Sequence, residues 1–380
     1  MLTILQVVPD LAAGGAERTT IEVADAVVRA GGRALVASRG GRLEGELAAV
    51  GGELIRMDAA TKSPVQIWAN AGRLARIAAR EGVAIIHARS RAPGWSALWA
   101  ARRARVGFVT TYHGIYNARS PLKRWYNSVM AQGDMVIANS HYTARHVRAA
   151  HATPGERLQV IYRGVDLARF DPTRLDPGRV GAVEARWGVL GDARARVLLP
   201  ARLTRWKGQE LLIDAAQRLQ ARGLSPVYIL AGDAQGRDAY AAGLTLRALR
   251  AGLGDLVRIV GHAEDMPGAL AAADLVVTPS LEPEAFGRAG AEAQAMGRIT
   301  IGPDHGATPE VIADGETGFL FPPGDADGLA AAIARALAID AATRTGMQNA
   351  ARSRAVAMFS AETLKQATLD VYARVVEARG

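Results

Sequence analysis

The 380-residue chain contains no cysteine, which excludes disulfides, thiolate metal sites and cysteine nucleophiles. It also lacks any uninterrupted apolar run of about 18 residues, so no segment predicts a membrane-spanning helix. The opening stretch MLTILQVVPD is apolar but has no basic leading region, and it therefore predicts a first strand rather than a signal peptide. We expect a cytoplasmic protein.

Aromatic residues and lysines are both scarce. Aromatics make up 5% of the chain, and only four of its 46 basic residues are lysines, although the net charge is +9. Nucleic-acid-binding proteins concentrate their positive charge and add aromatic side chains that stack on bases. We therefore do not expect nucleic acid as a partner, and an anionic membrane surface makes better use of the positive field.

Short apolar runs alternate with helical patterns along the whole chain, and most of them end in Gly, Pro, Asn or Ser. Continuous apolar strands between helices indicate a parallel sheet that is covered on both faces. The runs lie at 4–8, 34–38, 84–88, 108–112, 135–139 and 158–162 in the first half, and at 196–201, 227–232, 257–261, 275–279, 299–302 and 318–321 in the second.

The chain is long for one hydrophobic core, so two domains are expected. The stretch 166–188 is rich in Pro and Gly and predicts a linker between them. An internal similarity between GDMVIANS (133–140) and ADLVVTPS (273–280) fits two related domains in tandem. The predicted fold is α/β, with two facing Rossmann-like doubly wound domains and a cleft between them that suits a reaction of two substrates.

Two glycines, Gly14 and Gly15, stand directly before the first helical pattern. Paired glycines allow a ligand to approach the backbone closely, and a helix N-terminus favours phosphate or another anion. The sequence does not match a G-x-G-x-x-G motif, and an ordinary tight turn remains the alternative.

A second candidate anion site follows the strand at 196–201. Arg202 and Lys207 lie five residues apart there, just before Gly208 and an amphipathic helix. A guanidinium and an ammonium that converge at a strand end can hold a pyrophosphate. Two solvated charges in a loop are the alternative.

Histidines follow two of the predicted strands. His113, before Gly114, can donate a hydrogen bond to a sugar hydroxyl or stabilise developing charge, although it can also cap local backbone. His87 occupies the same kind of position and is the weaker candidate. No H-x-x-x-H pair or acidic cluster has metal-ligand spacing, so we expect no metal site.

The stretch EPEAFGRAGAE (282–292) places Glu284 in a strand-to-helix loop and Glu292 near the start of the following helix. Carboxylates accept hydrogen bonds from vicinal hydroxyls, and a helix start attracts an anion. A pyrophosphate between two polyols is a nucleotide sugar, which is therefore the expected ligand. The backbone N–H groups expected to meet its phosphates are those of Phe286, Gly287, Arg288 and Ala289.

Together these motifs resemble glycosyltransferase family 4. The resemblance covers nearly the whole chain and rests on five motifs in the family's order. They are GGAE near the N-terminus, HG at 113–114, Arg202 with Lys207, the E-x7-E stretch, and GATPEVIADGETGFLFPPGD at 306–325. Members are retaining enzymes of the GT-B fold that need no cofactor and usually no metal. The resemblance therefore implies transfer of a hexose from a UDP- or GDP-sugar.

The same resemblance assigns roles to residues of the second domain. Glu284 would contact the donor sugar and Glu292 its ribose, while Arg202 and Lys207 would neutralise the diphosphate. Arg288 departs from the family, which more often has an aliphatic residue there. It either adds a phosphate contact or points outward.

In the first domain, Gly15 would lie against the phosphates and His113 against the sugar and the reaction centre. The resemblance also implies that the last helix, 360–380, packs back on this domain. The expected division is thus 1–175 for the acceptor-side domain and 176–359 for the nucleotide-sugar domain.

Segments 87–103 and 110–134 resemble bacterial enzymes of lipopolysaccharide-core or other envelope glycan assembly, some of them mannosyltransferases. The expected acceptor is therefore a glycan or glycolipid. Two alternatives stay open: a sugar-nucleotide epimerase of similar fold, and a sugar-nucleotide-binding protein without activity.

Segment 118–133 sets cations beside apolar and aromatic residues, which suits docking on the inner face of an anionic membrane. A helix with its aromatics in the core and its cations in water is the alternative. The residues concerned are Arg119, Lys123, Arg124, Trp125, Tyr126, Val129 and Met130.

Overall fold

The computed structural model describes residues 2–12, 14–116 and 120–380. The chain forms two compact units: unit 1 comprises Met1–Gly164 with Ala361–Gly380, and unit 2 comprises Val165–Ser360. The first crossing between units thus precedes the expected boundary after residue 175. The reason is that the segment after Val165 packs within unit 2, where Arg352 donates a hydrogen bond to Asp171 Oδ1 at 3.0 Å.

Strands and helices alternate in both units, which confirms the predicted α/β class. The strands are β1 (Thr3–Val7), β2 (Arg33–Ser38), β3 (Glu53–Arg56), β4 (Val83–Ala88), β5 (Gly107–Tyr112), β6 (Met135–Ala138), β7 (Leu158–Val160), β8 (Arg196–Pro200), β9 (Val227–Ala231), β10 (Val257–Gly261), β11 (Leu275–Val277), β12 (Ile299–Pro303) and β13 (Gly318–Phe321). Each predicted apolar run coincides with one of them, and β3 was not predicted.

Helices connect the strands. They are α1 (Gly15–Arg29), α2 (Glu44–Ala49), α3 (Pro64–Arg80), α4 (Arg91–Ala104), α5 (Pro121–Ser128), α6 (His141–His151), α7 (Pro177–Trp187), α8 (Gln209–Gln220), α9 (Asp238–Arg250), α10 (Met266–Ala271), α11 (Arg288–Ala295), α12 (Thr308–Val311), α13 (Ala326–Ala338), α14 (Ala341–Met358) and α15 (Ala361–Glu377).

Residues 177–187 of the predicted linker at 166–188 form helix α7, and the whole stretch belongs to unit 2, so it does not link the two units. Pro177 and Gly188 stand at the two ends of this helix and do not interrupt it. Asp176 caps the N-terminus by accepting a hydrogen bond from the Gly178 N–H at 2.9 Å, and Pro177 takes the first helical position. Gly188 ends the helix in the left-handed conformation, with φ of 68°.

Both sheets are parallel and doubly wound. Unit 1 has the order β3-β2-β1-β4-β5-β6-β7, and unit 2 has the order β10-β9-β8-β11-β12-β13. The strand order reverses between β1 and β4 in unit 1, and between β8 and β11 in unit 2. In such sheets ligands bind beyond the carboxyl ends of the strands, at these switch points.

Helix α15 belongs to unit 1 and packs beside α1 on one face of its sheet. Leu364, Val371, Tyr372 and Val375 are buried there, whereas Val376 is exposed. Gly107 on β5 makes the close approach possible, because a Cβ at this position would lie 2.6 Å from Val375 Cγ1.

Candidate active site

Lys207 and Glu284 meet at the switch point of unit 2. Lys207 follows β8 and Glu284 follows β11, and these two strands are neighbours. The Lys207 Nζ lies 2.7 Å from Glu284 Oε1, and the two side chains are only 16% and 17% exposed. An ion pair with so little solvent contact holds both groups in fixed positions.

A glycine lets the two loops come together. Gly208 adopts a left-handed conformation with φ of 76°, and a Cβ there would lie 1.9 Å from the Pro279 carbonyl oxygen. The Leu281 N–H donates to the Trp206 carbonyl at 2.7 Å, which joins the loop after β8 to the loop after β11. Any side chain at position 208 would separate the loops that carry the ion pair.

Further contacts fix each partner of the pair. The Ser280 hydroxyl donates to Glu284 Oε1, and the Ala307 N–H donates to the Glu284 carbonyl at 2.9 Å. The Lys207 ammonium lies 4.2 Å from the centre of the Trp206 ring, which adds a cation–π contact. The charges are therefore oriented before any ligand arrives.

Arg202 lies on the same side of the sheet but is not part of this pair. Its side chain is exposed, and its Nη1 makes a long hydrogen bond of 3.4 Å to Gln235 Oε1. Its main chain is held more firmly, since Gln209 Nε2 donates to the Arg202 carbonyl at 2.9 Å. The loop is fixed while the guanidinium keeps room to reorient.

The loop after β11 leads into the N-terminus of α11. Gly287 stands before the helix in the left-handed conformation with φ of 81°, and the N–H groups of Arg288 and Ala289 belong to the first helical turn. Such N–H groups have no acceptor within the helix. Only the backbone of Phe286 is available at this helix start, because its ring is buried and its centroid lies 5.5 Å from that of the Phe359 ring.

Glu292 lies one turn into α11 and pairs with Arg288. The Arg288 Nε donates to Glu292 Oε1 at 2.7 Å. Burial raises the pKa of Glu292, and the charge and hydrogen bond of Arg288 offset part of that rise. The Arg288 side chain therefore turns toward Glu292 and stabilises its carboxylate.

In unit 1, the two glycines lie at the start of α1. Gly14 is the residue before the helix and Gly15 is its first residue. The Arg163 guanidinium occupies the space above Gly15, since a Cβ there would lie 1.4 Å from Arg163 Nη1. Arg163 Nη2 also donates to the His113 carbonyl at 3.0 Å, so the structure brings Gly15, Arg163 and His113 together.

The His113 ring nitrogens are buried, and among the described residues neither has a hydrogen-bond partner. Burial holds the pKa of His113 well below its ordinary value, and the charges of Arg89 and Arg163 lower it further. The ring is therefore neutral at pH 7, so one nitrogen is able to donate a hydrogen bond and the other is able to accept one.

His87 is a structural residue in this fold, unlike the sequence-based expectation. Its Nδ1 lies 2.6 Å from the Tyr372 hydroxyl and its Nε2 lies 2.7 Å from Thr111 Oγ1. The side chain is fully buried, and both ring nitrogens are occupied by protein. His87 thus joins β4 and β5 to the C-terminal helix α15.

Three residues near these sites were not singled out from the sequence. Arg89 and Arg163 follow β4 and β7, and Ser280 follows β11. His113 was identified because it is a polar residue that follows a buried parallel strand. The same criterion, if it is applied to every strand, also selects Arg89, Arg163 and Ser280.

Within residues 2–12, 14–116 and 120–380, no group of three or more His, Asp or Glu side chains could hold a metal ion. In the same ranges, no helix is both long and apolar enough to cross a membrane.

Each of the two units is Rossmann-like, and the chain is a glycosyltransferase of the GT-B class. The chain belongs to glycosyltransferase family 4. Residues 13–169 match the family model described as Glycosyltransferase Family 4, and residues 189–354 match the one described as Glycosyl transferases group 1.

Solved structures resemble the chain over its length. A glycosyltransferase from Rickettsia africae is 32% identical with a TM-score of 0.92, covering 99% of this chain and 98% of its own. The Anabaena protein HepE in complex with UDP-glucose is 26% identical with a TM-score of 0.83, covering 98% of this chain and 100% of its own.

Among curated proteins, a D-inositol 3-phosphate glycosyltransferase from Streptomyces avermitilis is 32% identical over 258 residues, which is 66% of this chain and 54% of the relative. The chain thus spans about half the length of the curated relatives it matches.

Proposed function

We propose that the chain transfers a hexose from a nucleotide-diphosphate sugar to a glycan or glycolipid acceptor, with retention of the anomeric configuration, in lipopolysaccharide or other cell-envelope glycan synthesis. The observation that carries the proposal is the Lys207–Glu284 pair at the switch point of unit 2. The Anabaena relative, which binds UDP-glucose, supports a UDP-sugar as the donor.

The ion pair leaves hydrogen-bonding capacity for a donor substrate. An ammonium has three N–H donors, and Glu284 occupies one of them, so Lys207 keeps others for phosphate oxygens. Oε1 of Glu284 already accepts from Lys207 and Ser280, which leaves Oε2 for a sugar hydroxyl. One pair can thus bind the diphosphate and the sugar on its two sides.

The reaction follows from charge placement. As the bond between the anomeric carbon and the diphosphate breaks, negative charge grows on the phosphate oxygens, where Lys207 and the reorienting Arg202 stabilise it. The acceptor hydroxyl attacks from the same face, and its proton passes to the departing phosphate. No protein base is needed, and Glu284 acts as a hydrogen-bond acceptor rather than a nucleophile. The neutral His113 ring supplies a donor to a substrate hydroxyl.

The test is incubation with a panel of UDP- and GDP-sugars, with and without a bacterial membrane lipid extract. We expect nucleotide diphosphate release that requires the extract, and NMR of the product should show the donor's anomeric configuration. Activity should persist in EDTA, as the family resemblance implies. Conversion of donor to an epimer without acceptor would indicate the epimerase, and nucleotide binding without turnover would indicate an inactive protein.

We also propose that unit 1 docks on an anionic membrane through α5. Leu122 and Trp125 are 72% and 57% exposed, next to the exposed cations Lys123 and Arg124. The Trp125 ring is held in place by Trp95, on which it stacks with ring centroids 4.7 Å apart. Exposed aromatics next to cations suit a headgroup interface.

The docking surface is smaller than the sequence suggested. Val129 and Met130 are fully buried and Tyr126 is half-buried, so these belong to the core and its edge. Val129 and Met130 lie in the turn after α5, and Tyr126 lies in α5 itself. Arg119 lies outside the described residues.

Vesicle co-sedimentation tests the docking proposal. The protein should bind anionic vesicles at low salt, and Lys123→Glu/Arg124→Glu should abolish binding, because each cation near such a surface contributes about 1 kcal/mol. Arg145→Glu/Arg148→Glu on α6 makes the same change in net charge and should bind like wild type. Equal binding to neutral and anionic lipid would contradict the proposal.

A further inference from the structure

Arg89 lies at the switch point of unit 1, where a doubly wound sheet binds its ligand. It is the first residue after β4, and its N–H donates to the Val7 carbonyl at the end of β1 at 2.9 Å. The chain then leaves β1 and β4 in different directions, since the strand order reverses between them. Arg89 thus corresponds in placement to the residues that follow β8 and β11 in unit 2.

The side chain of Arg89 is almost completely buried, at 1% exposure, yet two of its three nitrogens have no acceptor in the described part of the chain. Among the described residues, no hydrogen-bond acceptor lies within reach of its Nε or Nη2. Burial lowers the pKa of Arg89 to about 10, so the group stays charged at neutral pH. A buried N–H donor without an acceptor is costly, so the two unpaired nitrogens call for an acceptor that the described residues do not supply.

The surroundings favour an anion. The charge of Arg89 acts on His113, whose two ring nitrogens are also buried without a partner in the described part of the chain. Arg163, a second cation, acts on the same ring and covers the N-terminus of α1. Burial lowers the pKa of Arg89, and two side chains oppose that shift: Tyr372 and, after it, the carboxylate of Glu22.

We propose that Arg89 binds an acidic group of the acceptor, a phosphate or a carboxylate, at the switch point of unit 1. The geometry fits this role, because Nε and Nη2 lie on one edge of the guanidinium and together can hold two oxygens of one oxyanion. Assigning the group to the acceptor rests on the proposed function, whereas anion binding at Arg89 does not. The diphosphate of the donor is the other anion that could bind at Arg89.

The test uses inorganic phosphate as the probe, with UDP present at saturation so that the diphosphate positions are filled. GDP replaces UDP if GDP is the nucleotide that binds. Phosphate should raise the melting temperature of the wild type above that in chloride at equal ionic strength. In Arg89→Gln the apparent phosphate affinity should fall about 10- to 100-fold, the usual effect of losing charged hydrogen bonds. Arg89→Lys should give an intermediate response.

A matched control is Arg39→Gln. Arg39 also follows a strand of the same sheet, β2, but it is exposed and paired with Asp58 at 2.9 Å, so its loss should leave the phosphate response unchanged. Circular dichroism should show that every variant is folded. UDP affinity, measured separately, should be the same in Arg89→Gln as in wild type.

Three results would overturn the inference. A wild type that does not respond to phosphate would mean that Arg89 is satisfied by internal water. An Arg89→Gln variant that responds like wild type would place the anion elsewhere. A parallel loss of UDP affinity would assign the anion to the donor. Each result can occur while donor turnover persists, so failure here is distinct from failure of the proposed transfer activity.

Discussion

Replacing Lys207 by alanine should lower both stability and turnover, whereas replacing Arg202 should lower turnover alone. The difference follows from the environments of the two cations. Lys207 makes a 2.7 Å ion pair that is largely shielded from water, and Arg202 is exposed with one hydrogen bond of 3.4 Å. The sequence alone gave both residues the same role and therefore the same expected effect.

The magnitudes can be worked from these contacts. A hydrogen bond between charged groups contributes about 1.5–3 kcal/mol net, so Lys207→Ala should lose roughly that much free energy of unfolding. Arg202→Ala should stay within about 0.5 kcal/mol of wild type, as expected for an exposed site. Either variant removes a donor to the developing phosphate charge, which is worth about 3 kcal/mol, or roughly a hundredfold in kcat/KM.

Urea denaturation and donor kinetics provide the two measurements. Arg205→Ala is the control, because Arg205 is an exposed cation of the same loop that should affect neither quantity. A double-mutant cycle of Lys207→Ala with Glu284→Gln should show a coupling energy of about 1–2 kcal/mol. If Lys207→Ala unfolds at the wild-type midpoint, or if both variants keep wild-type kcat/KM, the reasoning is wrong.

Three other predictions follow from buried polar groups. Tyr372→Phe removes the hydroxyl that lies 2.6 Å from His87, and it should lose about 1–3 kcal/mol of unfolding free energy in urea; Tyr228→Phe, whose buried hydroxyl has no partner among the described residues, should be neutral. The pKa values of His87 and His113 are lowered by burial, so below about pH 6.5 the unfolded chain binds protons that the folded chain does not. The unfolding free energy should therefore fall as the pH drops from 7 to 5, with a slope per histidine that approaches about 1.4 kcal/mol per pH unit once the unfolded histidine is protonated, and a flat profile would contradict the buried neutral rings. Glu292→Ala should raise the donor KM about tenfold if Glu292 makes the ribose contact that the family resemblance implies, and an unchanged KM would remove the residue from the site.

Most strands could be predicted because buried parallel strands are continuous apolar runs. Strand β3, Glu53–Arg56, was missed because it is not a continuous apolar run. It lies at the edge of the sheet, pairs only with β2, and carries a charged, exposed residue at each end. Edge strands bury less surface, so their sequences resemble those of loops.

The candidate residues of unit 2 were predictable one by one, but their pairing was not. Lys207 and Glu284 are 77 residues apart, and only the adjacency of β8 and β11 makes them partners. Strand order depends on tertiary packing, which local patterns do not record. The same limit hid the partner of His87, because Tyr372 lies on a helix 285 residues further along the chain.

The return of α15 to unit 1 has a consequence for biosynthesis. Unit 2 is one continuous segment, Val165–Ser360, inserted between the two parts of unit 1. A ribosome adding about 5–20 residues per second needs roughly 10–40 s to synthesise that segment. During this time the sheet face that α15 will cover, with Ile85 and Val109, remains unprotected on the nascent chain. The protein is therefore expected to depend on chaperones late in translation, and chains released before α15 emerges should be targets for proteolysis.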